Sequence, residues 1–287
     1  MTSPKPRVLV TGAAGRLGSH VASLFHESGH DVLATDIVAA TGTPYRFEQA
    51  DLLDHELVLA LLNDVDVVLH LGNLAGIGPV PPQLVFNQNV SINQNMFQGA
   101  AEQAVGRIVF ASTLQLIGSH VDERTVVTPP ATPRYPMDGS TSADPSNVYA
   151  LSKSISEAML RYYSLRCGID AVALRFPLLH DGGDWSRVSS GQESVTDVIE
   201  GFTSLSYSDA ARLFLAVVQS DLAGYQVFMP GSSNRHRDLT MPELLRTYYP
   251  SVPVGTADLI DNTAITMATG WTPTASVADR PDRGDSP

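Results

Sequence analysis

The sequence predicts an α/β fold, a doubly wound parallel sheet with helices on both faces, followed by a small C-terminal lobe. Three observations carry that expectation. An apolar, β-branched run, Val8-Leu9-Val10-Thr11, stops at a glycine-rich turn, Gly12-Ala13-Ala14-Gly15-Arg16-Leu17-Gly18. A second such run, Asp31-Val32-Leu33-Ala34-Thr35, ends in Asp36. Strand-like and helix-like stretches then alternate without an internal repeat as far as Phe176, the pattern of parallel strands joined by crossover helices. A chain of 287 residues is long enough to bury a large core.

Each element has its own signal. After the glycine turn, apolar residues recur at helical spacing (Leu17, Val21, Leu24, Phe25), so Arg16 to about Ser28 is expected as helix, closed by Gly29. Strand, tight turn and helix N-terminus in that order make a phosphate cradle. The glycines let the backbone turn sharply and approach a pyrophosphate, and the helix's free N–H groups and dipole face its charge. The spacing is Gly-x-x-Gly-x-x-Gly, a departure from the common dinucleotide fingerprint Gly-x-Gly-x-x-Gly. Asp36 stands near the position of an acid that holds an adenosine ribose in a Rossmann-type sheet. Ile37 follows it, not an arginine, so NAD is expected over NADP.

Tyr45 to Ala50 reads as a third strand, followed by Asp51-Leu52, and Asp54 as the N-cap of a helix through Leu62. Val65 to His70 is a nearly continuous apolar run, as in a strand covered on both faces. It ends in Leu71-Gly72-Asn73, a small-residue turn open to a second part of the cofactor. Gln83 to Gln103 is expected as a long helix carrying Asn89, Asn93 and Asn95. Arg107 to Ala111 forms the fifth strand, with Ser112-Thr113 at its carboxyl end, the ligand-binding end in such sheets. Val121 to Ser146 has no periodicity and is read as a long surface loop at a substrate entrance. Ser146 or Asn147 caps a helix running to about Arg166, and Ile169 to Phe176 is the sixth strand.

Beyond Pro177 the rhythm changes. His180 to Gly201 reads as loop with short pieces of structure, Ser208 to Val218 as helix, Gln226 to Met229 as strand and Met241 to Thr247 as a short helix. Residues 1–177 are therefore expected as a cofactor-binding domain. Residues 178–274 form a smaller substrate lobe, part of which can return to the sheet. Residues 275–287, with Arg283-Gly284-Asp285, form a flexible tail.

The bulk numbers exclude several classes. A formal net charge of −12 speaks against nucleic acid or an anionic membrane as partner. No apolar run is long enough to span a bilayer, and Met1 to Pro6 leads straight into the first strand, so neither anchor nor signal peptide is expected. Cys167 is the single cysteine, which fits a reducing cytoplasm and rules out an internal disulfide. No metal site is expected: His26 and His30 are four apart, but Gly29 lies between them at a helix end. His70 reads as a satisfied core histidine. No Gly-x-Ser-x-Gly elbow supports a serine hydrolase.

Tyr149 and Lys153 lie four apart on one helix and share a face. A phenol has a pKa near ~10, too high for a neutral-pH base, and a neighbouring lysine ammonium is expected to lower it. A hydroxyl at the facing strand end, Thr113 or Ser112, would hold the substrate oxygen. Trp185, Arg187, Arg212 and Trp271 are further candidates for the substrate, with Trp271 better explained as core packing.

These motifs reach a family. The order Thr11-Gly12-Ala13-Ala14-Gly15-Arg16-Leu17-Gly18, Asp36, Asp51-Leu52, His70-Leu71-Gly72, Asn89-Val90, Ser112-Thr113 and Tyr149-x-x-x-Lys153 resembles the extended short-chain dehydrogenase/reductases, the epimerase/dehydratase branch. The resemblance spans residues 7–177 and continues more weakly through Ser206-Tyr207-Ser208-Asp209-Ala210-Ala211. It implies Tyr149 as general acid/base, Lys153 as its pKa partner and a ribose ligand, and Thr113 as the orienting hydroxyl, with Ser112 as fallback. It implies an NAD site drawn from Gly12, Gly15, Arg16, Leu17, Gly18, Asp36, Ile37, Asp51, Leu52, Leu71, Gly72, Asn73, Asn89, Tyr149, Lys153, Phe176 and Leu178.

Within the branch the details most resemble uronate dehydrogenases: the Thr-Gly-Ala-Ala-Gly start, the His-Leu-Gly strand end, and Phe-Ala-Ser-hydroxyl followed by Ile-Gly. That likeness implies substrate contacts at Ala75, Thr113, Leu114, Gln115 and Arg187, the last at a carboxylate-binding position. Ala75, Leu114-Gln115 and Leu178 replace polar residues of related enzymes, which makes this pocket more apolar. The implied activity is hydride transfer between NAD and a hydroxyl carbon of a sugar or sugar acid. The alternatives are a nucleotide-sugar epimerase or dehydratase with tightly held NAD, and a non-catalytic NAD sensor. A homodimer through the helices of Asn89 and Tyr149 is a further expectation.

Overall fold

The near-continuous apolar runs of the N-terminal half cannot leave one face in water, and they form the centre of a parallel sheet covered on both sides. In the computed structural model, which describes residues 5–75, 80–123, 125–128, 130–181, 195–232, 239–253 and 255–274, seven parallel strands make this sheet. They are β1 (Arg7–Thr11), β2 (Asp31–Asp36), β3 (Arg46–Gln49), β4 (Val67–His70), β5 (Arg107–Thr113), β6 (Asp170–Phe176) and β9 (Tyr225–Phe228). Their order is β3-β2-β1-β4-β5-β6-β9. The direction of winding reverses between β1 and β4, and the two chains leaving those strands part there to open a cleft at the carboxyl ends.

Alternate residues of each strand feed two cores. Val8, Val10, Val32 and Leu69 pack with Val21, Phe25, Leu213 and Phe214 of α1 (Arg16–Glu27) and α6 (Tyr207–Gln219). Leu9, Val68, Ile108 and Phe110 pack on the other face with side chains of α2 (His55–Leu62), α3 (Pro82–Glu102) and α4 (Val148–Cys167). Helix ends follow local chemistry. Asp54 Oδ1 accepts from the N–H groups of Glu56 and Leu57 at 3.0 and 3.2 Å. Of the two residues expected to cap α4, Asn147 does so, accepting from Ala150 N at 2.8 Å.

Within residues 121–146 the described positions hold no helix or strand. Past Phe176, β7 (Leu178–His180) pairs with β8 (Ser204–Ser206) in a separate two-stranded sheet. The helices α5 (Val195–Ile199), α7 (Met241–Tyr248) and α8 (Thr263–Thr269) belong to the same C-terminal half. A small core of Phe202, Leu244, Leu245, Tyr249, Val252 and Leu259 supports it, while β9 returns to the main sheet beside β6. Trp271 is buried, and its Nε1 donates to the Asp209 carbonyl at 3.1 Å. Arg212, a candidate for the substrate by sequence, instead binds the buried Asp209 carboxylate and the Thr274 hydroxyl. Trp185, Arg187 and the 275–287 tail lie outside the described residues. Among the described residues no helix is long and apolar enough to cross a membrane.

Candidate active site

The glycine turn is built by close approach. Gly12 has φ 68°, and a Cβ there would stand 2.8 Å from Gly72 N, so the β1 and β4 ends meet backbone to backbone. A Cβ on Gly18 would overlap the Gly12 carbonyl, which locks α1 onto the turn. Gly15 is the N-cap of α1 and contributes no side chain to the cap, so the first N–H groups of the helix stay open to a ligand. Asp36 is fastened at the lip: Oδ2 accepts from Ala14 N and Oδ1 from Val38 N, both at 3.1 Å.

From this turn a cleft of about 710 Å³ runs along the carboxyl ends of the strands. Gly12, Gly15, Arg16, Leu17, Gly18, Asp36 and Ile37 line its first part. Asp51, Leu52, Leu71, Gly72, Asn73 and Ala75 line the middle, and Ser112, Thr113, Leu114, Gln115, Tyr149, Lys153, Phe176 and Leu178 the part beyond. The residues drawn from the sequence thus converge on one cavity, with two departures. Asn89 does not line it. Fully buried, Asn89 holds the backbone of Leu74 at both its N–H (2.8 Å) and carbonyl (3.1 Å), so it shapes the wall from behind. Arg187 lies outside the described residues.

Behind the cleft stands a chain of polar groups that periodicity does not single out. Lys153 Nζ donates to Asn73 Oδ1 and to the Ala111 carbonyl, each at 2.7 Å. Asn73 Nδ2 donates to Asn93 Oδ1, which stands 2.8 Å from His70 Nε2, and His70 Nδ1 lies 2.7 Å from Thr11 Oγ1. Thr11 Oγ1 also accepts from Leu71 N and Gly72 N. The donors and acceptors close in one way only: Nε2 carries the proton of a neutral imidazole and Thr11 donates to Nδ1. Burial agrees, lowering the His70 pKa to about 3.

Thr113 and Ser112 separate cleanly. Thr113 and Tyr149 both line the cleft, and the Thr113 hydroxyl accepts from Gln115 N at 3.2 Å. Ser112 Oγ donates to Glu157 Oε1 at 2.6 Å, and Glu157 is also paired with Arg175 at 2.7 Å. Both residues line the cleft, but the Ser112 hydroxyl is tied to the buried Glu157. The lysine effect expected from sequence is overridden. Burial pushes the Tyr149 phenol up to about 12, with the Thr113 side chain acting the other way. Lys153 is 5.9 Å from the Tyr149 ring centroid, spends its donors on Asn73 and Ala111, and is itself brought by burial to about 7, with Glu157 opposing that shift. His120, Glu200 and Tyr207 also line the cleft. Sequence reasoning placed none of the three at the site: Tyr207 falls in the weaker likeness from Ser206 to Ala211, and no spacing ties His120 or Glu200 to a motif.

The open helix N-terminus, the glycine positions that admit no side chain and the pinned Asp36 carboxylate together fit an NAD dinucleotide. The profile described as "NAD dependent epimerase/dehydratase family" matches residues 8–187. The chain belongs to that family. Among its relatives is the uronate dehydrogenase of Pseudomonas syringae pv. tomato, 27% identical over 236 residues, covering 81% of this chain and 77% of that one. Another is the NAD-dependent glucose-6-phosphate dehydrogenase of Haloferax volcanii, 27% identical over 225 residues, 75% of this chain and 80% of the relative. The same fold occurs in the crystal structure of UDP-glucose 4-epimerase from Brucella ovis in complex with NAD (TM-score 0.72, 18% identity, 95% of each chain). As a family member this chain is an NAD-dependent enzyme of the extended short-chain dehydrogenase/reductase type.

Proposed function

We propose that the protein oxidises a free sugar at a hydroxyl-bearing carbon, with net transfer of hydride to NAD. The observation that carries this reading is that Thr113, Tyr149 and Lys153 line one cleft, with Tyr149 and Lys153 on the same helix face. Bound NAD brings a positively charged nicotinamide ring that accepts hydride at C4. Thr113 and Tyr149 then share the substrate hydroxyl, and Tyr149 Oη, as phenolate, takes its proton. Lys153 Nζ is fixed by Asn73 and the Ala111 carbonyl at the cleft wall. Its pKa near 7 lets it gain or lose a proton around neutrality. Burial holds the Tyr149 pKa high, so the oxidative rate rises as pH goes from neutral to alkaline and more phenolate forms.

The test is NADH absorbance with free aldoses and hexuronates, for the wild type and Tyr149→Phe. Steady NADH formation that falls by roughly 10²–10⁴-fold in Tyr149→Phe, with NAD affinity unchanged by calorimetry, supports the reading. Sugar conversion without NADH release points to an epimerase, and full activity in the variant places the base elsewhere. An NAD sensor would give no turnover at all.

We also propose a homodimer through α3 and α4, which pack on each other in the protomer. On α4, Leu151, Tyr162 and Leu165 are exposed, with Ile155 and Ala158 between them at the spacing of one helix face. A second copy of α3 and α4 would cover that stripe. Light scattering should give twice the chain mass, and Leu165→Asp together with Tyr162→Glu should give the monomer. A wild-type monomer at micromolar concentration rules the dimer out.

A further inference from the structure

The substrate end of the cleft carries a pair that the reaction above does not use. Glu200, at the end of α5, is 4% exposed and still lines the cavity. Its Oε1 accepts from Ser119 Oγ at 2.7 Å and lies 3.4 Å from His120 Nε2. His120 lines the same cavity and is held from three sides. Its N–H donates to Thr196 Oγ1 at 3.3 Å, its carbonyl accepts from Asn147 Nδ2 at 3.1 Å, and its backbone sits at φ 55°, a conformation a non-glycine residue keeps only when its surroundings impose it. Asn147 Nδ2 also reaches Gln115 Oε1 at 3.3 Å, two residues before Tyr149. His120 and Gln115 are thus tied by one side chain to the start of the catalytic helix. Neither His120 Nδ1 nor Gln115 Nε2 has a protein partner among the described residues.

We propose that His120, set by Glu200, and Gln115 form the specificity wall of the site and select a neutral polyhydroxylated sugar over the sugar acid of the same ring configuration. This rests on the sugar-dehydrogenase reading above. The reason is charge. With the carboxylate at Nε2, a neutral His120 keeps its proton on Nε2 and offers Nδ1 as acceptor, while an imidazolium offers Nδ1–H as donor. The pair therefore carries −1 or 0, never a positive charge. A hydroxyl can donate or accept and is served in either state. Among the described residues a substrate carboxylate meets no compensating charge there and lies close to a buried carboxylate, at a cost that low dielectric magnifies. The other cations lining the cleft among the described residues are Arg16, beside the glycine turn, and Lys153, whose ammonium is already engaged.

The deciding experiment measures binding separately from turnover. Galactose against galacturonate, and glucose against glucuronate, are titrated into the protein saturated with NADH, following nucleotide fluorescence. NAD reduction is assayed in parallel. An aldose should bind at least tenfold more tightly than its uronate. His120→Leu should weaken the aldose by roughly tenfold, the value of one lost hydrogen bond, while NADH affinity stays the same. Glu200→Gln should narrow the gap by strengthening the uronate, and if that variant does not fold, His120→Leu decides alone. A uronate that binds as tightly as its aldose, binding of neither sugar, or an unchanged aldose affinity in His120→Leu overturns the proposal. The expected binding pattern without any NADH formed from NAD upholds the specificity wall and counts against the dehydrogenase reading.

Discussion

Lys153 and His70 show how single residues in this protein are set by satisfaction rather than by proximity. Lys153 is 3% exposed, and its ammonium donates to two fixed acceptors, Asn73 Oδ1 and the Ala111 carbonyl, the first of which leads back through Asn93 to His70. His70 is the only ring in that chain and must remain neutral for the bonds to close. Its folded pKa, about 3, lies below the ordinary ~6.5 of an unfolded histidine. Between those values the unfolded chain binds the proton and the folded one does not. The contribution to stability is then complete above the unfolded value and is lost progressively as pH falls towards 3. Replacing His70 by Leu leaves the Thr11 hydroxyl without its acceptor, a cost of about 1–3 kcal/mol. Urea denaturation should show that loss at neutral pH together with a flatter acid limb. Equal stability and an unchanged limb would mean that the ring is a spacer only.

Among the elements, the β1–turn–α1 unit carries the tightest geometric demand. A methyl group on Gly18 would run into the Gly12 carbonyl, and Gly12 already abuts the backbone at Leu71 and Gly72, so neither side can yield without moving a strand end. Gly18→Ala should therefore weaken NAD binding by at least tenfold and lower stability by about 1–3 kcal/mol through overpacking. Calorimetric titration with NAD checks it, and native affinity would show that α1 can slide. This unit was legible in the sequence because its signal is local: a strand run, a glycine turn and a helical period within a few residues. The same holds for the Asp54 cap, for Asn147 as one of two offered caps, and for the Tyr149–Lys153 face. What escaped notice depends on distant segments. Strands β7 and β8 are three residues each and partly polar, too short for any period. α8 is rich in threonine and alanine, with one buried side chain, Ile265, so it has no apolar stripe to read. Ser112 and Thr113 are chemically alike and adjacent, and only the position of Glu157 on α4 decides which hydroxyl is tied into the core. Glu200 reaches His120 across 80 residues, a pairing that no motif encodes.

For the molecule as a whole, the cleft is a seam. Its walls come from the sheet's carboxyl edge and from residues beyond β6, including Leu178, Glu200 and Tyr207. A dinucleotide lying in it would touch segments from both halves of the chain, which meet in the α1–α6 core and in smaller cores beyond it. Binding to the native state alone stabilises by RT ln(1 + [L]/Kd), ~2.7 kcal/mol at a hundredfold excess over Kd. For a chain of this size that corresponds to roughly 5–11 °C in melting temperature, at about 2–4 °C per kcal/mol. NADP should give far less. Its 2′-phosphate would meet the Asp36 carboxylate, which Ala14 N and Val38 N fasten in place, and Ile37 supplies no charge to offset it. Thermal melts at matched concentrations of the two nucleotides separate the cases, and Asp36→Asn should narrow the gap by removing the repulsion. Equal shifts from NAD and NADP in the wild type would mean that Asp36 does not stand beside the ribose.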